Sequence, residues 1–148
     1  MTALFVASRQ RSIRYDHGRL VLLVENALPL CLKVAERLKG PLLNLGRIEC
    51  SVVGNRAMAR VHREFLNARG TTDVITFPDG EILVCAAVAR ERAEEFGHDV
   101  PTELALYCIH GLLHLAGHDD LEPEAARRMA RAQEKILQAA TGKSATRR

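Results

Sequence analysis

The β-prone runs of this chain all end by Cys85, and from there nearly to the C-terminus the pattern is helical. This partition constrains the fold more than any other feature. Strands concentrated in the first half and helices in the second pack as one sheet with helices laid on it, an α+β arrangement. Residues 3 to 8, 47 to 53, 73 to 77 and 81 to 85 are the expected strands, each short and rich in apolar or β-branched side chains. Pro78, Asp79 and Gly80 form a turn that would fold the last two into a hairpin. The expectation is a single small mixed sheet with helices packed on it.

Two helices interrupt the strands. Asp16 is placed to cap the first, in which Leu20, Val24, Leu28, Cys31, Val34 and Leu38 recur at helical spacing until Gly40 and Pro41 end it. Pro29, inside that run, must kink or divide it. Asn55 is expected to cap the second, with Met58, Val61 and Phe65 on one face and a stop near Gly70. Residues 87 to 97, 101 to 116 and 123 to 140 are three further helices, separated by Gly97 and Gly117 and opened by Pro101 and Pro123. Met58 and the scattered Phe residues read as core. Residues 1 to 142 are expected to form one hydrolase domain, and 143 to 148, with Lys143, Arg147 and Arg148, a disordered basic tail.

With 47% hydrophobic and 26% charged residues over 148 positions, the chain has the composition of a folded domain and not of a disordered one. Its four cysteines are scattered through apolar segments with no CxxC pair, which reads as buried thiols in a reducing, cytoplasmic compartment. The N-terminal apolar stretch is too short for a signal-peptide core, and the run from Leu20 to Leu32 is broken by Glu25, Asn26 and Pro29, so no membrane segment is expected. A net charge of +3 permits a phosphate-bearing partner without demanding one.

Chemistry concentrates in ELALYCIHGLLHLAGHDD, residues 103 to 120. His110 and His114 stand four apart on a helix, which sets both imidazoles on one face a turn apart, where they can share an ion. Glu103 and Tyr107 fall on roughly the same stripe, while Leu104, Cys108, Leu112 and Leu115 form an apolar side for the core. Gly117 can end the helix and turn the chain back, bringing His118, Asp119 or Asp120 to the same ion. Two helical histidines alone are more often ordinary core or surface residues. The added Gly and the His-Asp-Asp after it reproduce HxxxHxxGxx(H/D), the layout that wraps three ligands around zinc. Three protein ligands leave a position open for water, whose pKa then falls toward about 7. Zinc peptidases of this layout carry a Glu general base after the first His, and here that residue is Gly111.

With these residues in view the sequence resembles the YbeY family of bacterial metal-dependent endoribonucleases. The family signature HGxLHLxGxD is met by HGLLHLAGHD at 110 to 119, and its PTDVLSFP block by TTDVITFP at 71 to 78. A third block, a glycine-acid-apolar strand running into a helix, is met by GEILVCAAVARERAEEFG. The resemblance implies one zinc ion per chain and no organic cofactor, single-stranded RNA as substrate, and a role with the ribosomal small subunit at the 3′ end of its RNA. It also implies His110, His114 and Asp120 as the metal ligands, Asp120 standing where the family usually has a third His. His118, where the family usually has Tyr, is the rival ligand and otherwise a cleft residue donating a proton or meeting phosphate, with Asp119 beside it. The family's phosphate-engaging Arg is replaced by Leu66, and Arg63 or Arg69 is the expected stand-in, with Arg60 on the same helix; a solvated helix face would explain these arginines as well. Thr72 and Asp73 open a strand and either line the cleft or cap locally. The rival functions are a non-catalytic metal-binding ribosome-assembly or RNA-binding factor, and a metallopeptidase.

Overall fold

The computed structural model describes residues 2–142, so the tail expected at 143 to 148 lies outside the described residues. The chain runs β1 (Ala3–Ser8), α1 (His17–Leu38), a 3-10 turn (Pro41–Asn44), β2 (Arg47–Val53), α2 (Asn55–Leu66), β3 (Val74–Thr76), β4 (Glu81–Cys85), α3 (Ala86–Phe96), α4 (Val100–Ala116) and α5 (Pro123–Thr141). The four strands form one mixed sheet ordered β1-β2-β4-β3. β1 and β2 pair in parallel, as do β2 and β4, while β3 closes back antiparallel on β4 with Ile75 opposite Leu83. The hairpin read from Pro78-Asp79-Gly80 is present, with Phe77 N–H donating to Glu81 O at 2.8 Å and Gly80 at φ 104° in the turn.

Two boundaries depart from the sequence reading, each for a local reason. α1 is not divided at Pro29. That residue is exposed, so the carbonyl four residues earlier loses its bond to solvent and not to the core, and the buried stripe from Leu20 to Ala35 holds the helix through it. α2 begins after Gly54 and not at a capping Asn55, and it ends four residues before Gly70, because Asn67 itself takes the left-handed conformation at φ 52°.

The core lies between the sheet and helices α1 and α4. α4 is buried on almost every side, including Leu104, Cys108, Ile109, Leu112, Leu113 and Leu115, so it packs beneath the sheet and beside α1 and α5 as a central rod. All four cysteines are buried free thiols. Met58 is fully buried as expected, but Phe5, Phe65 and Phe96 are not core; they remain 44, 64 and 65% exposed. α2 sits over the far face with a smaller cluster of its own, Met58 against Val53, Ile75, Leu83 and Cys85, which leaves the end of that helix projecting. No helix of the described residues is long and apolar enough to cross a membrane.

Candidate metal centre

α4 reaches its length and direction through its ends. Asp99 caps it, accepting from Thr102 N–H at 3.0 Å, and Pro101 occupies the first turn where no N–H is needed. Gly117, at φ 119°, ends it; Gly117 N–H donates to His114 O and His118 N–H to Leu113 O at 3.0 Å, closing the last turn. The reversal carries the chain back over the helix, where Asp119 Oδ1 accepts from Leu121 N–H at 3.1 Å and tightens the turn.

Among the described residues this brings together one set of three potential metal donors: His110, His114 and Asp120. The two Nε2 atoms are 3.1 Å apart, and Asp120 Oδ2 lies 3.8 Å from that of His114 and 4.0 Å from that of His110. A tetrahedral ion with bonds of about 2.1 Å has ligand-to-ligand edges of roughly 3.4 Å, so the triangle is of the right size. The far ring nitrogens are also committed. His114 Nδ1 lies 3.2 Å from the main-chain carbonyl of His118, which can only accept, and His110 Nδ1 lies 2.8 Å from Oε1 of Gln133 on α5. The carbonyl sets the proton of His114 on Nδ1, and Gln133, in the orientation that presents Oε1, does the same for His110, which turns both Nε2 lone pairs inward. Two lone pairs and a carboxylate converging at these distances repel one another until a cation lies between them. The donor set fits a metal ion.

The remaining expected residues fall elsewhere. The His118 ring is outside this set; its Nε2 is buried with no hydrogen-bond partner, and burial, with the charges of Arg37 and Arg128, depresses its pKa. Its contribution at the centre is its carbonyl. Glu103 lies two helical turns before His110 and is buried against His98, whose Nε2 comes to 2.6 Å, off the line of a good hydrogen bond. Tyr107 is buried beside Glu103, and burial followed by that carboxylate pushes its hydroxyl pKa up. Neither belongs to the set formed by His110, His114 and Asp120.

Gly111, the position of the peptidase Glu, packs into the sheet: a Cβ there would stand 2.7 Å from Thr76 Oγ1 and 2.9 Å from Ile82 Cγ2. A side chain there would have to displace those of Thr76 and Ile82, so a glycine suits the close approach of α4 to β3 and β4.

His110 and His114 line a cleft whose opposite wall is the edge strand β3 with its flanks, Asp73, Thr76, Phe77 and Pro78, and whose lip is Leu66. Asp73 is held in that wall by Arg92 of α3 at 2.8 Å, and its other oxygen accepts from Val74 N–H at 2.8 Å. The Thr72 hydroxyl reaches only Asp73, at 3.4 Å. Arg63 and Arg69 are exposed and do not line the cleft; Arg60 lines a neighbouring groove. Sequence reading missed Gln133. Its one signal was a polar side chain on the inward stripe that Met129, Ile136, Leu137 and Ala140 define on α5.

The profile of endoribonuclease YbeY matches residues 5–141. Endoribonuclease YbeY of Frankia casuarinae is 32% identical across 91% of this chain and 73% of its own length, and that of Frankia alni is 33% identical across 91 and 81%. The Chlorobium luteolum protein of the same name is 36% identical across 74 and 85%. The solution structure of TM1509 from Thermotoga maritima shares the fold, with a TM-score of 0.61 over 97% of this chain and 92% of that one at 24% identity. A family match over residues 5–141 and relatives at 32 and 33% identity over 91% of its length mean that the chain belongs to the endoribonuclease YbeY family.

Proposed function

We propose that this chain is a zinc-dependent endoribonuclease that hydrolyses phosphodiester bonds in single-stranded ribosomal RNA, acting in the cytoplasm on the 3′ end of small-subunit RNA. The observation that carries the metal assignment is the convergence of two Nε2 atoms and one carboxylate oxygen at 3.1, 3.8 and 4.0 Å. His110, His114 and Asp120 hold the ion. Two imidazoles and a single oxygen suit zinc better than magnesium or calcium, which prefer all-oxygen surroundings. When bound, the ion supplies Lewis-acid polarisation of the phosphodiester and a nucleophile at neutral pH.

The chain's own residues supply position and environment. The His118 carbonyl and Gln133 hold the histidine tautomers, so no proton must leave Nε2 for the ion to bind. Asp120, about half exposed, contributes a negative charge that tempers the ion. The largely apolar wall of β3 and Leu115 excludes bulk water from one side of the cleft. Arg63 and Arg69 add positive potential along the approach, and the His118 side chain stays neutral behind the turn. A peptidase is disfavoured because the position of its general base is Gly111, which carries no carboxylate and lies close against the side chains of Thr76 and Ile82.

The test is elemental analysis of the purified protein together with cleavage of a labelled single-stranded RNA, with and without chelator, casein serving as the control. About one zinc per chain, RNA cut only in its presence, and no cleavage by His114→Ala are the expected results. Ribosomal particles bound without RNA cleavage would instead favour an assembly factor, and cleavage of casein alone would favour a peptidase.

A further inference from the structure

Beside the metal cleft lies a feature that the ion and its ligands do not use. Phe65, in the last turn of α2, leaves 64% of its surface exposed, and the next residue, Leu66, leaves 56%. Phe65 packs edge-to-face against Phe77, with ring centroids 5.5 Å apart and an interplanar angle of 84°. Phe77 stands at a boundary: it lines the cleft that contains His110 and His114, and also a neighbouring groove that contains Phe65 and Arg60. Leu66 and Phe65 thus continue the cleft's apolar lip out to a cation.

Exposure of an aromatic ring is not in itself a site. Phe5 is exposed too, but the guanidinium of Arg47 covers its face at 4.0 Å. Among the described residues the one aromatic or cationic contact on Phe65 is Phe77, and a perpendicular pair leaves ring faces open because each ring meets the other through one edge or one face. The groove holds two guanidiniums, Arg9 and Arg60, and two carboxylates, Asp79 and Glu81. Arg9 is drawn to Glu49 at 3.8 Å. Arg60, by contrast, is exposed and takes part in none of the ion pairs among the described residues. An open aromatic face, an uncommitted guanidinium, and a shared wall with a phosphodiester-cleaving centre match the parts of a nucleotide: base, phosphate and scissile bond.

We propose that Phe65 and Phe77 form a stacking subsite for an unpaired nucleobase of the RNA substrate next to the scissile bond, with Arg60 receiving the phosphate of that nucleotide. This rests on the endoribonuclease reading of the cleft. Stacking is tolerant of base identity but needs a base free of its partner, so the subsite selects single strands without selecting sequence. Arg60 on the phosphate also compensates for Leu66, whose side chain offers no charge at the lip.

The experiment uses the metal-loaded full chain and a short single-stranded RNA carrying a fluorescent adenine analogue beside the cleavage position. Wild type should quench the analogue on binding. Phe65→Ala should abolish the quenching and raise KM by roughly ten- to hundredfold with kcat little changed, and Phe65→Trp should restore both. Arg60→Ala should keep the quenching and flatten the dependence of affinity on salt by about 0.7 in logarithmic slope. Phe65 is exposed, so its variants should fold; unchanged thermal unfolding and metal content verify this. If wild type cleaves RNA and Phe65→Ala binds and cleaves equally well, the subsite is refuted while the endoribonuclease reading stands. If no RNA is cleaved but Phe65→Ala still loses quenching and affinity, the subsite stands and the catalytic reading fails. Loss of a protein partner by Phe65→Ala, with RNA binding intact, would also overturn the proposal and make the lip a protein contact.

Discussion

Replacing Gly40 with Ala tests whether the geometry of the metal centre depends on how closely α1 and α4 end against each other. Gly40 is in extended backbone at φ −81°, a conformation any residue adopts, so Ala there meets no backbone strain. The obstacle is space. A Cβ at Gly40 would stand 2.0 Å from Ala116 O and 2.1 Å from Ala116 C, against 3.4 Å for the near edge of ordinary contact, so the two segments must part by about 3.4 − 2.0 = 1.4 Å. Both obstructing atoms are main chain and cannot rotate away. Overpacking of this kind costs about 1–3 kcal/mol, with main-chain obstruction at the upper end. Up to about 1 kcal/mol returns through the stiffer unfolded chain, leaving a net loss of about 2–3 kcal/mol. For a chain of this size that is a fall in Tm of roughly 4–12 °C.

Thermal unfolding followed by circular dichroism measures the fall, with Gly46→Ala as the control, since a Cβ at Gly46 meets nothing within 4 Å. The displaced atoms adjoin Gly117, so Gly40→Ala should also weaken metal binding while leaving all three ligands in the sequence. A Tm for Gly40→Ala equal to that of Gly46→Ala, with equal metal affinity, would refute the reasoning.

Three further predictions address the helix and its ion. Asp120→Ala should reduce metal affinity by more than the roughly 10–100-fold that loss of an outer-layer partner costs, and Asp120→His should recover it; competition against a chromophoric chelator reads both, and an unchanged affinity in Asp120→Ala removes Asp120 from the ligand set. Gln133→Ala frees the tautomer of His110 and should lower metal affinity about 10–100-fold without altering Tm of the metal-free protein by more than about 2 °C, as calorimetry of both forms would show. Asp99→Ala should cost about 1 kcal/mol, or roughly 2–4 °C, at neutral pH. Burial pushes the Asp99 carboxyl pKa up, but hydrogen bonds from Thr102 and the Arg19 guanidinium hold it below the usual range, so its contribution is full above about pH 4 and vanishes as pH falls through the native value. Unfolding curves of wild type and Asp99→Ala should therefore converge in acid; a gap that persists there would assign the effect to something other than the ionised cap.

The histidine helix was legible because its signals are local. Pro101 and Gly117 set its ends within a few residues, and the i, i+4 spacing of His110 and His114 needs only helical geometry to be interpreted. The order of the strands was not legible. That β2 lies between β1 and β4 depends on which parallel crossovers bury the most apolar surface, a property of the whole chain. The cleft wall is hidden for the same reason: Thr76 and Phe77 meet the histidines only through the antiparallel return of β3 onto β4. Phe65 shows the limit of composition. Its spacing with Val61 and Met58 reads as a buried stripe, yet the stripe outlasts the surface it packs on, and the last turn of α2 emerges exposed. The His118 carbonyl, which lies 3.2 Å from His114 Nδ1, was not legible either, because every residue carries such a group and no motif can mark it.

That carbonyl has a consequence for how the site can change over generations. The proton on His114 is held by main chain, so no single amino-acid replacement deletes its acceptor; substitution at His118 leaves the oxygen in place as long as the turn survives. The proton on His110 is held by a side chain, and one codon decides whether that side chain is an amide, a carboxylate or a methyl. Heritable variation therefore has unequal access to the two histidines. On the proposed metal centre His114 is insulated from drift, whereas replacement of Gln133 would alter how His110 holds an ion without touching a proposed ligand.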